Sequence, residues 1–145
     1  MELDGAGLER EVEEKVQHVL KGVSETLEKY VKERNLSIVE AKELLESLEP
    51  SFKIITKKWG LLILYTLLLM GPSSFSKLHE VTGVNKRSLS TRLKELEKGG
   101  FIKRTVRTEP PISTHYTLTQ TGRDTALLMI PLIYYVSKKM PLHEF

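Results

Sequence analysis

The run from Trp59 to Met70, WGLLILYTLLLM, limits the possible folds more than any other stretch. Wound as a helix it has no polar face, so every side of it needs apolar cover. A bilayer span takes about 20 apolar residues. This run is shorter, and Lys57 and Lys58 abut it directly. It therefore predicts a central core helix around which a small domain assembles. At 145 residues the chain has room for one such domain plus an appendage.

The segment from Gly83 to Arg107, GVNKRSLSTRLKELEKGGFIKRTVR, supplies a partner for that helix. Leu89, Leu93 and Leu96 recur at helical spacing, which gathers them on one buried stripe. At about 100° per residue, Arg87, Thr91, Lys94 and Lys98 fall nearly opposite, with Ser88 and Ser90 on the shoulders. Between Asn85 and Arg107 lie eight cations, Lys86, Arg87, Arg92, Lys94, Lys98, Lys103, Arg104 and Arg107, against only Glu95 and Glu97. Such a face is either an ordinary solvated surface or one built to lie against a polyanion.

Punctuation around these two segments gives an order of elements. Gly71 and Pro72 stop the core helix, and Ser73 or Ser74 can cap a short helix through Phe75, Leu78 and Val81. Thr82 and Gly83 then form a tight turn into a helix over 84–98. Helix, short helix, glycine turn, helix is the footprint of a helix-turn-helix. Gly99 and Gly100 close the last of these, and FIKRTVRT and THYTLT read as two strands joined through Glu109, Pro110 and Pro111. A hairpin over 101–118 in that place is the wing of a winged helix. Thr119 can cap a final helix to about Met140, almost wholly apolar over 126–136, in which Pro131 should introduce a kink. A helix so apolar is expected to pack both on its own domain and on another subunit.

Ahead of this body, residues 7–34 read as one long amphipathic helix with Leu8, Val12, Val16, Val19, Val23, Leu27, Tyr30 and Val31 along one side. It packs either on its own domain or in a coiled-coil-like dimer contact. Gly22 costs such a helix about 1 kcal/mol relative to alanine, so tertiary contacts are expected to hold it straight. Ser37 and Glu40 have the spacing of a capping box, opening a second helix through Leu44, Leu45 and Leu48 that Pro50 should end. The expected organisation is an N-terminal helical extension over 1–50 for dimerisation or partner contact, a winged helix-turn-helix over 51–118, and a C-terminal dimerisation helix over 119–145. The fold class is mainly α with a small β-hairpin.

Charge divides along the same line. Residues 1–50 carry thirteen acidic against seven basic side chains, whereas residues 51–145 carry six against fifteen, within an overall net charge of +3. A basic body with an acidic arm points to polyanion contact in the first and protein contact in the second. The absence of cysteine excludes disulfides, thiolate metal sites and thiol redox chemistry in this chain. His18, His79, His115 and His143 show no ligand spacing, and no phosphate-cradling glycine loop, nucleophile elbow or framed carboxylate pair is present. The reading is therefore a non-enzyme without metal or cofactor. The acidic N-terminus lacks the pattern of a secretory signal, from which a cytoplasmic location is expected.

The stretch KKWGLLILYTLLLMGPSSFSKLHEVTGVNKRSLSTRLKELEKGGFIKRTVRTEPPISTHYTLTQTGR resembles the HxlR-type winged helix-turn-helix transcriptional regulators, relatives of the MarR group, over roughly residues 54–136. The resemblance rests on Lys58 and Trp59 before the apolar run, Gly71 and Pro72, Phe75 with Leu78, then Leu89, Arg92, Leu93, Leu96, Glu97 and Gly100. Arg104, Glu109, Pro110, Pro111, Tyr116, Leu118, Thr119 and Gly122 complete it. It implies a homodimer on double-stranded promoter DNA, with the recognition helix 84–98 in the major groove and the wing 101–118 along the backbone or minor groove. Many relatives sense oxidants or electrophiles through a cysteine near the first helix, a mode this chain lacks. The acidic arm is longer than the family pattern requires.

The candidate DNA-binding residues are Lys86, Arg87, Ser88, Ser90, Thr91, Arg92, Lys94, Lys98, Lys103, Arg104 and Arg107. Arg87 can take a guanine edge bidentately, and Ser90 and Thr91 can reach phosphates or bases. Arg92 flanks the leucine stripe, which favours a structural or phosphate-clamping role over base reading. The rival readings are a winged helix that binds only protein and a membrane-surface protein using the Trp59–Met70 run. The latter is disfavoured by the lack of a polar face. A small-molecule effector of unknown identity has a conceivable pocket where Tyr134, Tyr135 and Trp59 gather, although such aromatics more often serve packing.

Overall fold

In a computed structural model, residues 5–139 are described. The side chains of Leu8 and Val31, and everything beyond Lys139 including His143, lie outside the described residues. The order of elements is α1 (Gly5–Arg34), α2 (Ile38–Thr56), α3 (Gly60–Met70), β1 (Ser73–Ser74), α4 (Phe75–Thr82), α5 (Lys86–Lys98), β2 (Ile102–Arg107), β3 (Ser113–Leu118) and α6 (Gln120–Lys139). The architecture is mainly helical, with a small antiparallel sheet. Two compact units share these elements, the division falling inside α2 between Leu45 and Glu46 and inside α6 between Ala126 and Leu127.

The unit over 46–126 is the winged helix. Ile63, Leu64 and Leu67 of α3 are buried with Leu78, Val84, Ile102, Tyr116, Ala126 and the stripe Leu89, Leu93 and Leu96. Burial of each such leucine contributes about 2 kcal/mol, which fixes the facing sides of α3 and α5. The expectation that α3 is covered all round needs correction: Leu62, Leu69 and Met70 are 40, 65 and 48 % exposed.

The entry to α3 also differs from the sequence reading. Pro50 does not end the second helix, since α2 runs on to Thr56. Proline removes one backbone donor. Residues 42–53 are exposed, so solvent has access to the interrupted ladder. The break comes instead at Lys57–Trp59, where Trp59 takes a left-handed φ of 77°. That conformation is unfavourable for a side chain with a Cβ. Packing of the indole against the core and the Lys58 ammonium, 4.5 Å from the ring centroid, hold it there.

The helix-turn-helix is closed by short side chains. The Ser74 hydroxyl accepts from the Lys77 N–H at 3.1 Å, capping α4. At its other end Gly83 takes φ 67°, its N–H donating to the His79 carbonyl at 3.0 Å. The His79 Nδ1 lies 2.7 Å from the Val84 carbonyl, tying the turn to the helix before it. Asn85 then caps α5, accepting from the Ser88 N–H at 2.9 Å, so the helix starts at Lys86 rather than at residue 84.

The hairpin was expected, but the sheet has a third strand. Its order is β1-β3-β2, with Ser73 and Ser74 pairing Tyr116 and His115. Across the hairpin Arg104 faces Tyr116 and Lys103 faces Thr117. Thr119 finishes β3 and starts α6 as expected, its hydroxyl accepting from the Gly122 N–H at 3.1 Å and donating to the Gly100 carbonyl at 2.6 Å. Gly122 has no room for a side chain, since a Cβ there would collide with the Phe101 carbonyl.

In the other unit, α1 and the C-terminal part of α6 run antiparallel. Lys138 Nζ lies 3.8 Å from Glu13 Oε2 and 4.0 Å from Glu9 Oε2, while further along Val16, Val19 and Leu20 meet Leu128, Pro131, Leu132 and Tyr135 around an apolar hollow of about 300 Å³. Val16 is buried, but Val19, Val23, Leu27 and Tyr30 remain 42 to 57 % exposed, as do Leu128 and Leu132 at 74 and 51 %. The reciprocal capping box of Ser37 and Glu40 forms at 3.1 and 3.2 Å. At Gly22 an added Cβ would meet nothing within 4 Å, so the contacts of α1 with α6 lie elsewhere along the helix. α6 is assigned without interruption through Pro131.

Candidate nucleic-acid interface

With the leucine stripe facing inward, the opposite side of α5 turns its polar residues to solvent. Lys86, Arg87, Thr91, Lys94 and Lys98 are exposed, and Ser88 and Ser90 are half-buried at the edges of the stripe. On the wing, Lys103, Arg104 and Arg107 are exposed as well. Among the described residues none of these seven lysine and arginine head groups has an ion-pair or hydrogen-bond partner in the protein. Charges left in water next to one another repel, so this surface is poised for an anion. The Thr91 hydroxyl donates to the Arg87 carbonyl at 3.0 Å, and its oxygen keeps the capacity to accept.

Arg92 behaves differently. Its Nε donates to the Lys58 carbonyl at 3.1 Å and its Nη1 to Glu95 Oε2 at 2.8 Å. Lys57 completes the group, 3.1 Å from Glu95 Oε1. Arg92 and then Lys57 hold the Glu95 carboxyl below the usual carboxylate range. This cluster ties the break before α3 to the middle of α5. It lay outside the sequence reading, because nothing in the spacing of Lys57 and Glu95 announces a pair.

Strand alternation separates the wing cations. Ile102, Arg104 and Val106 share one face of β2, and Lys103, Thr105 and Arg107 the other. Arg104 therefore turns toward α5, where Ser90, Lys94, Glu97 and Tyr116 join it around a cleft of about 320 Å³. Two residues of this surface escaped the sequence reading as site residues. Asn85 caps α5, a place the sequence reading missed by starting that helix at residue 84. Tyr116 is placed by the strand register alone.

No group of three His, Asp or Glu that could hold a metal ion occurs among the described residues. Nor is any described helix long and apolar enough to cross a membrane.

Proteins similar to this chain include regulators of transcription. Over 76 residues the chain is 36 % identical to the HTH-type transcriptional regulator YodB of Bacillus subtilis, covering 52 % of this chain and 67 % of YodB. It is likewise 36 % identical over 97 residues to YvaP of the same organism, described as an uncharacterized HTH-type transcriptional regulator, covering 66 % of this chain and 85 % of YvaP. The crystallographic form described as reduced YodB superposes with a TM-score of 0.57 at 26 % identity, over 64 % of this chain and 91 % of that one. Diamide-treated and quinone-bound YodB give TM-scores of 0.55 and 0.54, covering 66 and 63 % of this chain and 94 and 96 % of theirs at 26 and 27 % identity. The family model of the HxlR-like helix-turn-helix matches residues 54–144, which takes in the core helix, the capped turn, α5 and the wing. This chain belongs to the HxlR-like helix-turn-helix family, a family of DNA-binding transcriptional regulators and not of enzymes.

Proposed function

We propose that the protein is a homodimeric, sequence-specific regulator of double-stranded DNA, with α5 in the major groove and the wing on the adjacent backbone or minor groove. The observation that carries this reading is the unpaired state of the seven cations on α5 and the wing, in a domain whose leucines fix that face outward. Phosphates reward such a cluster through counterion release. Arg87 is the candidate for base reading, with Thr91 beside it. Lys86, Ser88, Lys94, Lys98, Lys103, Arg104 and Arg107 serve the backbone, and Arg92 serves as the strut that holds α5 against the α2–α3 break.

The exposed apolar rows of α1 and α6 support two-fold association through the terminal helices. Two recognition helices about 34 Å apart then enter successive major grooves on one face of a near-palindromic site. YodB has been crystallised in reduced, diamide-treated and quinone-bound forms. A thiol-based response to such reagents is closed to this chain, which has no cysteine.

Gel-shift titration against selected and random duplexes tests the reading. A DNA-binding regulator loses affinity steeply as salt rises and prefers its selected site. A module that binds protein only gives no complex at low salt, and that result overturns the assignment.

A further inference from the structure

We propose that the cleft between α5 and the wing seats one phosphodiester of the DNA backbone, gripped by the Tyr116 hydroxyl together with Ser90, Lys94 and Arg104. This rests on the DNA-binding reading above and assigns a ligand group to one part of that surface.

The cleft is built from both elements. Ser90, Lys94 and Glu97 follow one another at helical spacing and form one row along α5. Arg104 and Tyr116 are direct cross-strand partners, so their side chains leave the sheet on the same face, toward that row. Together the five residues line an opening of about 320 Å³.

Tyr116 is the telling member. It is only 9 % exposed and belongs to the core cluster, a position where a phenylalanine ring would pack as well. Its hydroxyl has no hydrogen-bond partner among the described residues. Yet none of the described buried side-chain oxygens lacks a partner, so this one reaches solvent, and the cleft is the opening its residue lines. Buried tyrosines ordinarily find a partner for the hydroxyl. Here a free donor belongs to a cleft that Lys94 and Arg104 also line, and a hydroxyl with two cations is the chemistry that receives a phosphate oxygen.

Charge narrows the ligand further. Lys94 and Arg104 against Glu97 leave one net positive charge at the cleft. A backbone phosphodiester carries one negative charge and matches it. A free phosphate dianion brings a second charge up against the Glu97 carboxylate. The cleft therefore favours the diester of a duplex over a small phosphorylated solute.

The test uses the full chain and a duplex containing its selected site, in which single phosphates are replaced one at a time by neutral methylphosphonates. Tyr116→Phe keeps the ring and is expected to weaken binding about tenfold with an unchanged salt slope, whereas Lys94→Ala and Arg104→Ala each lower the slope by about one. At one position per half-site the methylphosphonate weakens the parent protein but adds nothing to the loss in Tyr116→Phe. Ser90→Ala, which leaves the core untouched, should show the same position-specific non-additivity and covers the case in which Tyr116→Phe melts early.

Parent-like affinity in both variants, or losses that multiply at every phosphate, overturns the phosphate seat and leaves the DNA-binding reading standing. Stabilisation of the DNA-free protein by inorganic phosphate, abolished in Tyr116→Phe, assigns the cleft to a free anion and also overturns it. If the parent protein forms no salt-dependent complex with any duplex, the DNA-binding reading itself fails.

Discussion

Arg92 Nη1 lies 2.8 Å from Glu95 Oε2 one turn further along α5, while Nε of the same guanidinium donates to the Lys58 carbonyl at 3.1 Å. α5 is thus fastened to the α2–α3 break by a cation that sits among DNA-binding candidates. Removing the guanidinium leaves both the carbonyl and the carboxylate short of a donor. Arg92→Ala is expected to lower stability by about 1 to 2 kcal/mol, more than Glu95→Gln, in chemical denaturation followed by circular dichroism.

The same cluster sets a pH dependence. Glu95 has its folded pKa depressed, by Arg92 first and Lys57 second. Its contribution is therefore fully present above the ordinary carboxylate range and is lost as pH falls through the lowered folded value. The carboxylate is 38 % exposed, so screening keeps that contribution to about 0.5 to 1 kcal/mol. Melting temperatures of the parent and Glu95→Gln are expected to converge on acidification, and the gap above that range should shrink with added salt.

Arg87 and Lys103 should separate base reading from backbone contact. Arg87→Ala is expected to cost about 1 to 3 kcal/mol on the selected site and to relax preference at one base pair. Lys103→Ala should weaken selected and random duplexes alike and reduce the salt slope by about one. Equal losses on both kinds of duplex for both variants would sink this division of labour.

Two glycines predict opposite outcomes. At Gly122 a methyl group runs into the Phe101 carbonyl, so Gly122→Ala should destabilise by at least about 2 kcal/mol as the base of the wing is forced apart. At Gly22 the space is open and the backbone helical, so Gly22→Ala should stabilise α1 by up to about 1 kcal/mol. Thermal melts of the two variants check both signs. A destabilised Gly22→Ala would indicate that a second chain packs closely there.

Redox insensitivity is the last prediction. Diamide or a quinone added before gel shift should leave DNA affinity unchanged, because no thiol is available to react.

The winged helix was legible because its signals are local and agree with one another. The period of Leu89, Leu93 and Leu96, the punctuation at Gly71, Gly83 and Gly99, and the capping pair Ser37 and Glu40 each act within a turn or two of chain. The exposed cations of α5 followed from the same period, since the side opposite a buried stripe is the wet one. Other features depend on partners distant in sequence. Ser74 caps α4 as its spacing suggests, but the pairing of Ser73 and Ser74 with β3 has no local signal, and Lys57 meets Glu95 across 38 residues. Pro50 misled because an exposed helix tolerates a missing donor better than a buried one. The all-apolar run of α3 suggested complete burial, yet one side of it stays open, since composition cannot say how many neighbours a helix has.

The strand β1 is only two residues long, but Ser74 both pairs with His115 and caps α4, so the first helix of the motif and the hairpin share one joint. The spacing between α5 and the wing is thereby set by main chain and by leucines hidden from solvent. None of the seven free cations takes part in that frame. Descendants of this chain can exchange those cations one at a time while the scaffold that presents them keeps its shape.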